Sequence, residues 1–285
     1  MEVLITNLTQ QRLLDACRAG RVEEVQQLLN IPNIDLNCQD REKDDQTPFY
    51  IACENEHIEI VKLLLNVQRV DVNKVETRVG ATPFFIACGK GHIEVVKLLL
   101  NDQRIDINKV TNEAATPFFI SCQFGHIEIV KLLLNDQRVD INKAVNGWTS
   151  FYVACQNGHV EVVKLLLNDE RIDTNQAGNS GATPFWIACQ QGHIEIVKLL
   201  LNDKRVDINK ATNNDWTPFY IACEKGHIEI VLLFLETSRG YIYIYIYIYS
   251  PIDLTKIKII KANKNIKLNE SEQSTLTKAQ IIFEC

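Results

Sequence analysis

The sequence predicts an all-α solenoid of about seven helix-turn-helix repeats, followed by an irregular C-terminal tail. Two observations carry this. A cysteine recurs at Cys17, Cys53, Cys88, Cys122, Cys155, Cys189 and Cys223, about 34 residues apart, and self-similarity at a fixed period of that size marks an array of stacked units. Around each cysteine the chain repeats one phrase, TPFYIACENEHIEIVKLLLN in the second copy and TPFFIACGKGHIEVVKLLLN in the third. An eroded first copy reads LLDACRAGRVEEVQQLLN. Stacking such units buries one continuous elongated core, so the 285 residues need not close into a globule.

Each stretch of the phrase has a local physical reading. Thr82 and Pro83 form a helix start: the hydroxyl accepts from a free backbone N–H, and a proline in the first turn loses no hydrogen bond. Thr47, Thr116, Thr183 and Thr217 recur with their prolines, whereas Thr149 is followed by Ser150, so that helix is expected to start less firmly. The first helix should end at Gly91, Gly125, Gly158, Gly192 and Gly226, where a left-handed backbone is needed. Glu56 takes this place in the second copy and should either carry strain of roughly 1 kcal/mol or end its helix differently. His92 then leads into a second helix with Ile93, Val96, Leu99 and Leu100 on one face. An Asp-Ile-Asn turn and a polar stretch of uneven length complete the unit, and the uneven length marks exposed loop tips.

Bulk properties exclude several classes. A net charge of -6 opposes binding to phosphate backbones, so nucleic acid is not an expected partner. Met1–Gln10 has no basic stretch before an apolar one, and no apolar run reaches 18 residues, so neither secretion nor membrane spanning is expected. Seven of the nine cysteines sit at equivalent places in successive units, about 8–10 Å apart when stacked, too far for bridges. They are expected to be free thiols in a reducing compartment, cytoplasmic or nuclear.

The repeated phrase resembles the ankyrin repeat, whose consensus runs T-P-L-H-x-A-A-x-x-G-H before an apolar helix and an Asp-Val-Asn turn; the resemblance covers about Leu13 to Glu236. It implies a capping repeat over 1–39, repeats two to seven over 40–239, and a low-complexity tail over 240–285. It also implies a non-catalytic interaction module, a scaffold or adaptor, that binds a protein or extended peptide on a concave face lined by hairpin tips and first helices. The alternative is a regulatory or targeting component of an enzyme system, either a ligase adaptor or a substrate of asparaginyl hydroxylases. For the latter the candidates are Asn73, Asn108, Asn142 and Asn209, which follow Asp-Ile or Asp-Val. The plainer reading is that these amides tie the turn to its neighbour.

No catalytic residue, cofactor or metal is expected. Each cysteine–histidine pair, such as Cys88 and His92, offers only two ligands, and the six histidines all belong to the repeat frame. Where the consensus has T-P-L-H, this chain has Tyr50, Phe85, Phe119, Tyr152, Trp186 and Tyr220 in place of histidine. These rings should pack between neighbouring first helices, with Trp186 the exception because of its size. Positions that contact partners in the family fall on Trp148 and Trp216, just before the threonine, and on the residues after the second alanine. Those are Lys90, Phe124, Gln156, Asn157, Gln190, Gln191, Glu224 and Lys225. The tryptophans, two steps and roughly 20 Å apart, would anchor an extended apolar segment across Ala182, or else fold back on neighbouring tips. Phe124 is either a contact or a fortuitous surface residue.

The two ends differ. Arg21, Glu23, Glu24, Gln26 and Gln27 make the first copy polar, as a cap must be, whereas Leu232 in the last copy replaces lysine and leaves an apolar end needing cover. Beyond it, YIYIYIYIY after Gly240 alternates like a strand, and Pro251 to Cys285 reads as poorly ordered or as a weak helical cover.

Overall fold

The computed structural model describes residues 2–236, and the expectations for the tail beyond Gly240 lie outside them. The chain divides into two compact units, 1–173 and 174–285, each treated by itself. All regular structure among the described residues is helical. The first unit holds α1 (Glu2–Ala19), α2 (Val22–Leu29), α3 (Pro48–Glu54), α4 (Ile58–Leu65), α5 (Pro83–Lys90), α6 (Ile93–Leu100), α7 (Pro117–Phe124), α8 (Ile127–Asn135), α9 (Ser150–Asn157) and α10 (Val160–Leu167). The second holds α11 (Pro184–Gln191), α12 (Ile194–Asn202), α13 (Pro218–Glu224) and α14 (Ile228–Glu236). Within each unit, first helices pack on first helices and second on second, each touching its sequential neighbours.

The helix starts follow from the threonines. Thr47, Thr82 and Thr116 have extended backbones, and their hydroxyls accept from the N–H of Tyr50, Phe85 and Phe119 at 3.1, 3.0 and 3.0 Å. Thr149 makes the same bond to Tyr152 at 3.2 Å, so α9 keeps its cap without proline. The cost falls on Ser150 instead, whose buried Oγ has no hydrogen-bond partner.

At the C-terminal end of α5 and α7 the glycines serve two purposes. Gly91 and Gly125 take φ of 79° and 73°, the left-handed region. They also leave room for the next repeat's imidazole: a Cβ on Gly91 would lie 2.8 Å from the ring of His126, and one on Gly125 2.6 Å from that of His159. The ring is held there by its far side, because His126 Nε2 donates to Gly89 O at 2.8 Å and His159 Nε2 to Gln123 O at 2.8 Å. A carbonyl only accepts, so Nε2 carries the proton. His57 and His92 reach Arg18 O and Glu54 O in the same way. Glu56 keeps the left-handed turn with φ 58°, so the strain expected of it is present, and its carboxylate lies 3.4 Å from His92 Nδ1.

The cores of both units are sealed by aromatic and aliphatic side chains. Phe49, Phe84, Phe118 and Phe151 fill the first unit beside Cys53, Cys88, Cys122 and Cys155. The eight described cysteines are buried and form no disulfide among themselves; burial pushes the Cys17 and Cys38 thiols up to about 12 and raises those of Cys53, Cys88, Cys122 and Cys155 as well. In the second unit Phe234, standing where α12 has Leu200, meets Phe185 and Phe219 edge-on at 5.7 and 5.5 Å.

The first unit begins earlier than the repeat pattern suggests: α1 starts eleven residues before Leu13. Its Arg18 pairs with the nearly buried Asp40 at 2.5 Å, fastening the first helix to the following loop. Glu24 occupies the place of the fully buried Ile60, Val95 and Ile129 in later repeats, and binds Arg12 and Arg21 at 2.8 and 2.6 Å. That face is therefore polar and cannot accept another repeat without burying a carboxylate.

Replacing Ser150 by proline should stabilise the protein by about 1–2 kcal/mol, through unfolded-state entropy and loss of the orphan hydroxyl. Thr149 already has the extended conformation a following proline requires (φ -87°, ψ 167°). Denaturant unfolding of Ser150→Pro tests this, and a lowered midpoint would contradict it.

Candidate interaction face

The row of rings that replaces the consensus histidine is a wall, not an open stripe. Tyr50, Phe85, Phe119 and Tyr152 of the first unit are all buried, and burial raises the Tyr50 and Tyr152 hydroxyl pKa values, the latter to about 12. Tyr50 and Phe85 cluster with Ala81, and Ile86, Ala115 and Ile120 pack against them. The expectation that Trp186 escapes burial is corrected: it is 7% exposed. Its size is accommodated because the indole N–H donates to Trp216 O at 2.9 Å, which removes the penalty of burying that group.

Trp148 and Trp216 remain 39% and 41% exposed, but neither ring is loose. Trp148 stacks on Tyr152 at 5.6 Å and 6°, and Trp216 leans on Tyr220 at 5.4 Å and 35°. Each ring folds onto the aromatic side chain four residues on, in its own repeat, rather than onto a neighbouring tip. The chain brings them together because the tryptophan stands just before the capping threonine and the tyrosine sits in the first helical turn, at the third helical position. The two pairs lie in different units.

The residues after the second alanine fall at the ends of first helices. In the first unit Lys90 is exposed and pairs with Glu54 of the preceding repeat at 3.2 Å. Phe124 is 54% exposed, its ring tilted toward His126 at 6.1 Å. Asn157 Nδ2 donates to Gln123 O, which also receives His159, so this side chain is committed to holding the stack. Gln156 is half-buried. In the second unit Gln190 lends its carbonyl to His227, Gln191 is exposed, and Glu224 and Lys225 pair with each other at 3.0 Å.

The turn asparagines are working amides. Asn73 donates to Arg104 O at 2.7 Å and accepts from Asp106 N at 2.8 Å; Asn108 and Asn142 do the same with Arg138 and Asp140, and with Arg171 and Asp173. Asn37 and Asn175 belong to this set, although Leu36 and Thr174 break the Asp-Ile/Val-Asn spelling that singled out the others. Asn209 differs, its Oδ1 being buried without a partner. Nearby arginines add a further tie: Arg104 pairs with Asp102, lowering that carboxyl's pKa, and reaches back to Leu65 O at 2.7 Å.

The described cysteines and histidines thus point to different places, thiols into the core and imidazoles onto carbonyls. Among the described residues no three groups of metal-binding type come together. No helix there is long and apolar enough to cross a membrane.

A family model of ankyrin repeats, three copies in length, matches residues 13–111, 103–177 and 170–244. The chain belongs to the ankyrin-repeat family, whose members generally act as protein–protein interaction modules. No curated protein matches it.

Trp186→Phe removes the bond to Trp216 O without emptying the site, and should destabilise the protein by about 1–2 kcal/mol in denaturant unfolding. An unchanged midpoint would show that the indole N–H contributes nothing there.

Proposed function

We propose that this chain is a non-catalytic scaffold or adaptor that grips a polypeptide, with Phe124 and Trp148 as the anchors on its first unit and Trp216 as the anchor on its second. One observation carries this: these three large aromatic side chains remain about half exposed, Trp148 and Trp216 each lying against a tyrosine of its own repeat. A rigid, half-exposed aromatic ring offers apolar area with little entropy left to lose on binding. Polar side chains accompany them, Lys90 on the first unit and Gln191 with the Glu224–Lys225 pair on the second, where charge steers a partner more than it holds it. Gln156, Asn157 and Gln190 contribute chiefly by keeping their helices in line.

A protein or an extended segment with spaced apolar side chains suits such a surface, and an acidic chain gives no attraction to nucleic acid. The thiols support the absence of catalysis, since burial keeps them protonated and unreactive at neutral pH. A compartment that leaves them reduced, the cytoplasm, fits the same chemistry.

The test is affinity capture from native lysate with wild type, Phe124→Ala, Trp148→Ala, Trp216→Ala, and Lys97→Ala on a second helix as control. One recurrent partner whose capture falls at least about tenfold in an aromatic variant, at unchanged Tm and with the control unaffected, is the expected result. Capture that is equal in all four variants would reject these anchors.

A further inference from the structure

The loop tips of successive repeats are joined by backbone rungs, and in the first unit one rung is missing. Thr77 N donates to Asp44 O and Asn112 N to Val79 O, each at 2.8 Å, and in the second unit Asn213 N donates to Ser180 O at 2.9 Å. The tip of the fifth repeat makes no such bond to the fourth. Instead Val145 and Trp148 exchange bonds at 2.8 and 2.9 Å around Asn146 and Gly147, whose φ of 51° and 86° give the two-residue turn of a tight hairpin. This tip is the shortest in the unit, and the Glu113 carbonyl, which holds the place of Val79 O, receives no N–H.

A cleft of about 430 Å³ opens at the base of the same two tips, lined by Asp106, Lys109, Val110, Thr116, Asp140 and Lys143. Its cations are uncommitted. Lys74 and Lys210 each donate to the carbonyl of the preceding repeat's turn asparagine, Asn37 at 3.1 Å and Asn175 at 3.3 Å. Lys109 and Lys143 stand in the same place, are exposed, and make neither that bond nor an ion pair with any described residue. Of the two carboxylates, Asp106 accepts from the Asn108 N–H at 3.2 Å within its own turn, whereas that of Asp140 has no donor. Two free ammonium groups thus stand with one uncommitted carboxylate, beside a valine that is 38% exposed.

We propose that this cleft takes the carboxylate of an Asp or Glu side chain in an extended segment of a partner protein, with a backbone N–H of that segment donating to Glu113 O and so supplying the missing rung. The proposal deepens the reading of Trp148 as an anchor and rests on it for the presence of a polypeptide there. Val110 in the cleft and Glu113 are three residues apart along the chain. That is at most about 10 Å, a distance that a few extended residues cover. Trp148 follows the tight turn directly, so one short segment can meet the ring, the open carbonyl and the cleft. The two ammonium groups then select: charge-assisted bonds favour a carboxylate over the amide of the same shape.

Selection of a phage-displayed library of random peptides on the immobilised full chain tests this. Wild type should enrich peptides that share an Asp or Glu among apolar residues. A synthetic copy of the most enriched one should bind Lys109→Gln/Lys143→Gln at least about tenfold more weakly, and the copy with its acid replaced by the amide should lose as much on wild type. The double variant should keep the wild-type Tm, because neither ammonium has a partner within the fold. A glycine inserted after Asn146, which makes the fifth tip as long as the fourth and closes the gap at Glu113 O, should weaken the peptide about threefold or more. Enrichment without a shared acid, binding indifferent to both lysines, or a selection that enriches nothing overturns the proposal. So does self-association of the wild type that the double variant abolishes, which would assign the cleft to a second copy. Trp148→Ala separates the two readings: loss there with indifference to the lysines keeps the anchor and removes the cleft, and loss at the lysines alone keeps the cleft and removes the anchor.

Discussion

The contact on which the stack depends is the imidazole of one repeat lying against the bare Cα of a glycine in the repeat before it. It joins three demands that are separate in most proteins. The first helix must end, which calls for a left-handed residue; the next repeat approaches closely, which leaves little room for a Cβ at Gly91 and Gly125, although Glu56 takes the place once; and the exposed carbonyls of that helix end need a donor, which the ring N–H supplies. Because one glycine and one histidine satisfy all three, the join is short and specific. At Gly226, the end of the described series, no described residue lies within 4 Å of where a Cβ would stand. Its φ of 76° is that of the other glycines, as helix termination requires.

Around this join the structure separates holding from binding. Threonine caps, asparagine amides, arginine–aspartate pairs and the buried phenylalanines recur with nearly constant geometry, so substituting any of them is felt by both neighbours. Much of the variation falls in loop lengths, in the residue before each threonine, and in the last residues of the first helices. There the chain carries alanine in some repeats and tryptophan in others, or lysine in one and phenylalanine in the next. That division is why a constant fold leaves room for a particular partner.

Much of this was legible from residues alone. Thr-Pro, Gly-His and the apolar spacing fix helix boundaries because each acts through its nearest few neighbours, and the described helices begin and end where those residues stand. The early start of α1 was not legible, since Glu2 to Arg12 carries no repeat phrase to be matched. Trp186 misled because its size is visible in the sequence while the carbonyl of Trp216 that accepts its N–H is brought there by folding. The stacking of Trp148 on Tyr152 could have been read from the four-residue spacing of two aromatic side chains at a helix start. The ties of Asn37 and Asn175 were missed because a fixed spelling was required where the geometry needs only the amide.

The most direct measurement is a double-mutant cycle on Gly125 and His159 in equilibrium unfolding. Gly125→Ala alone should pay both for backbone strain and for collision with the His159 ring, whereas in a His159→Ala background only the strain remains. The account predicts that Gly125→Ala costs at least about 1 kcal/mol less in that background. Equal costs in both backgrounds would mean that glycine is there for the turn alone, and that the imidazole contact does not hold the repeats together.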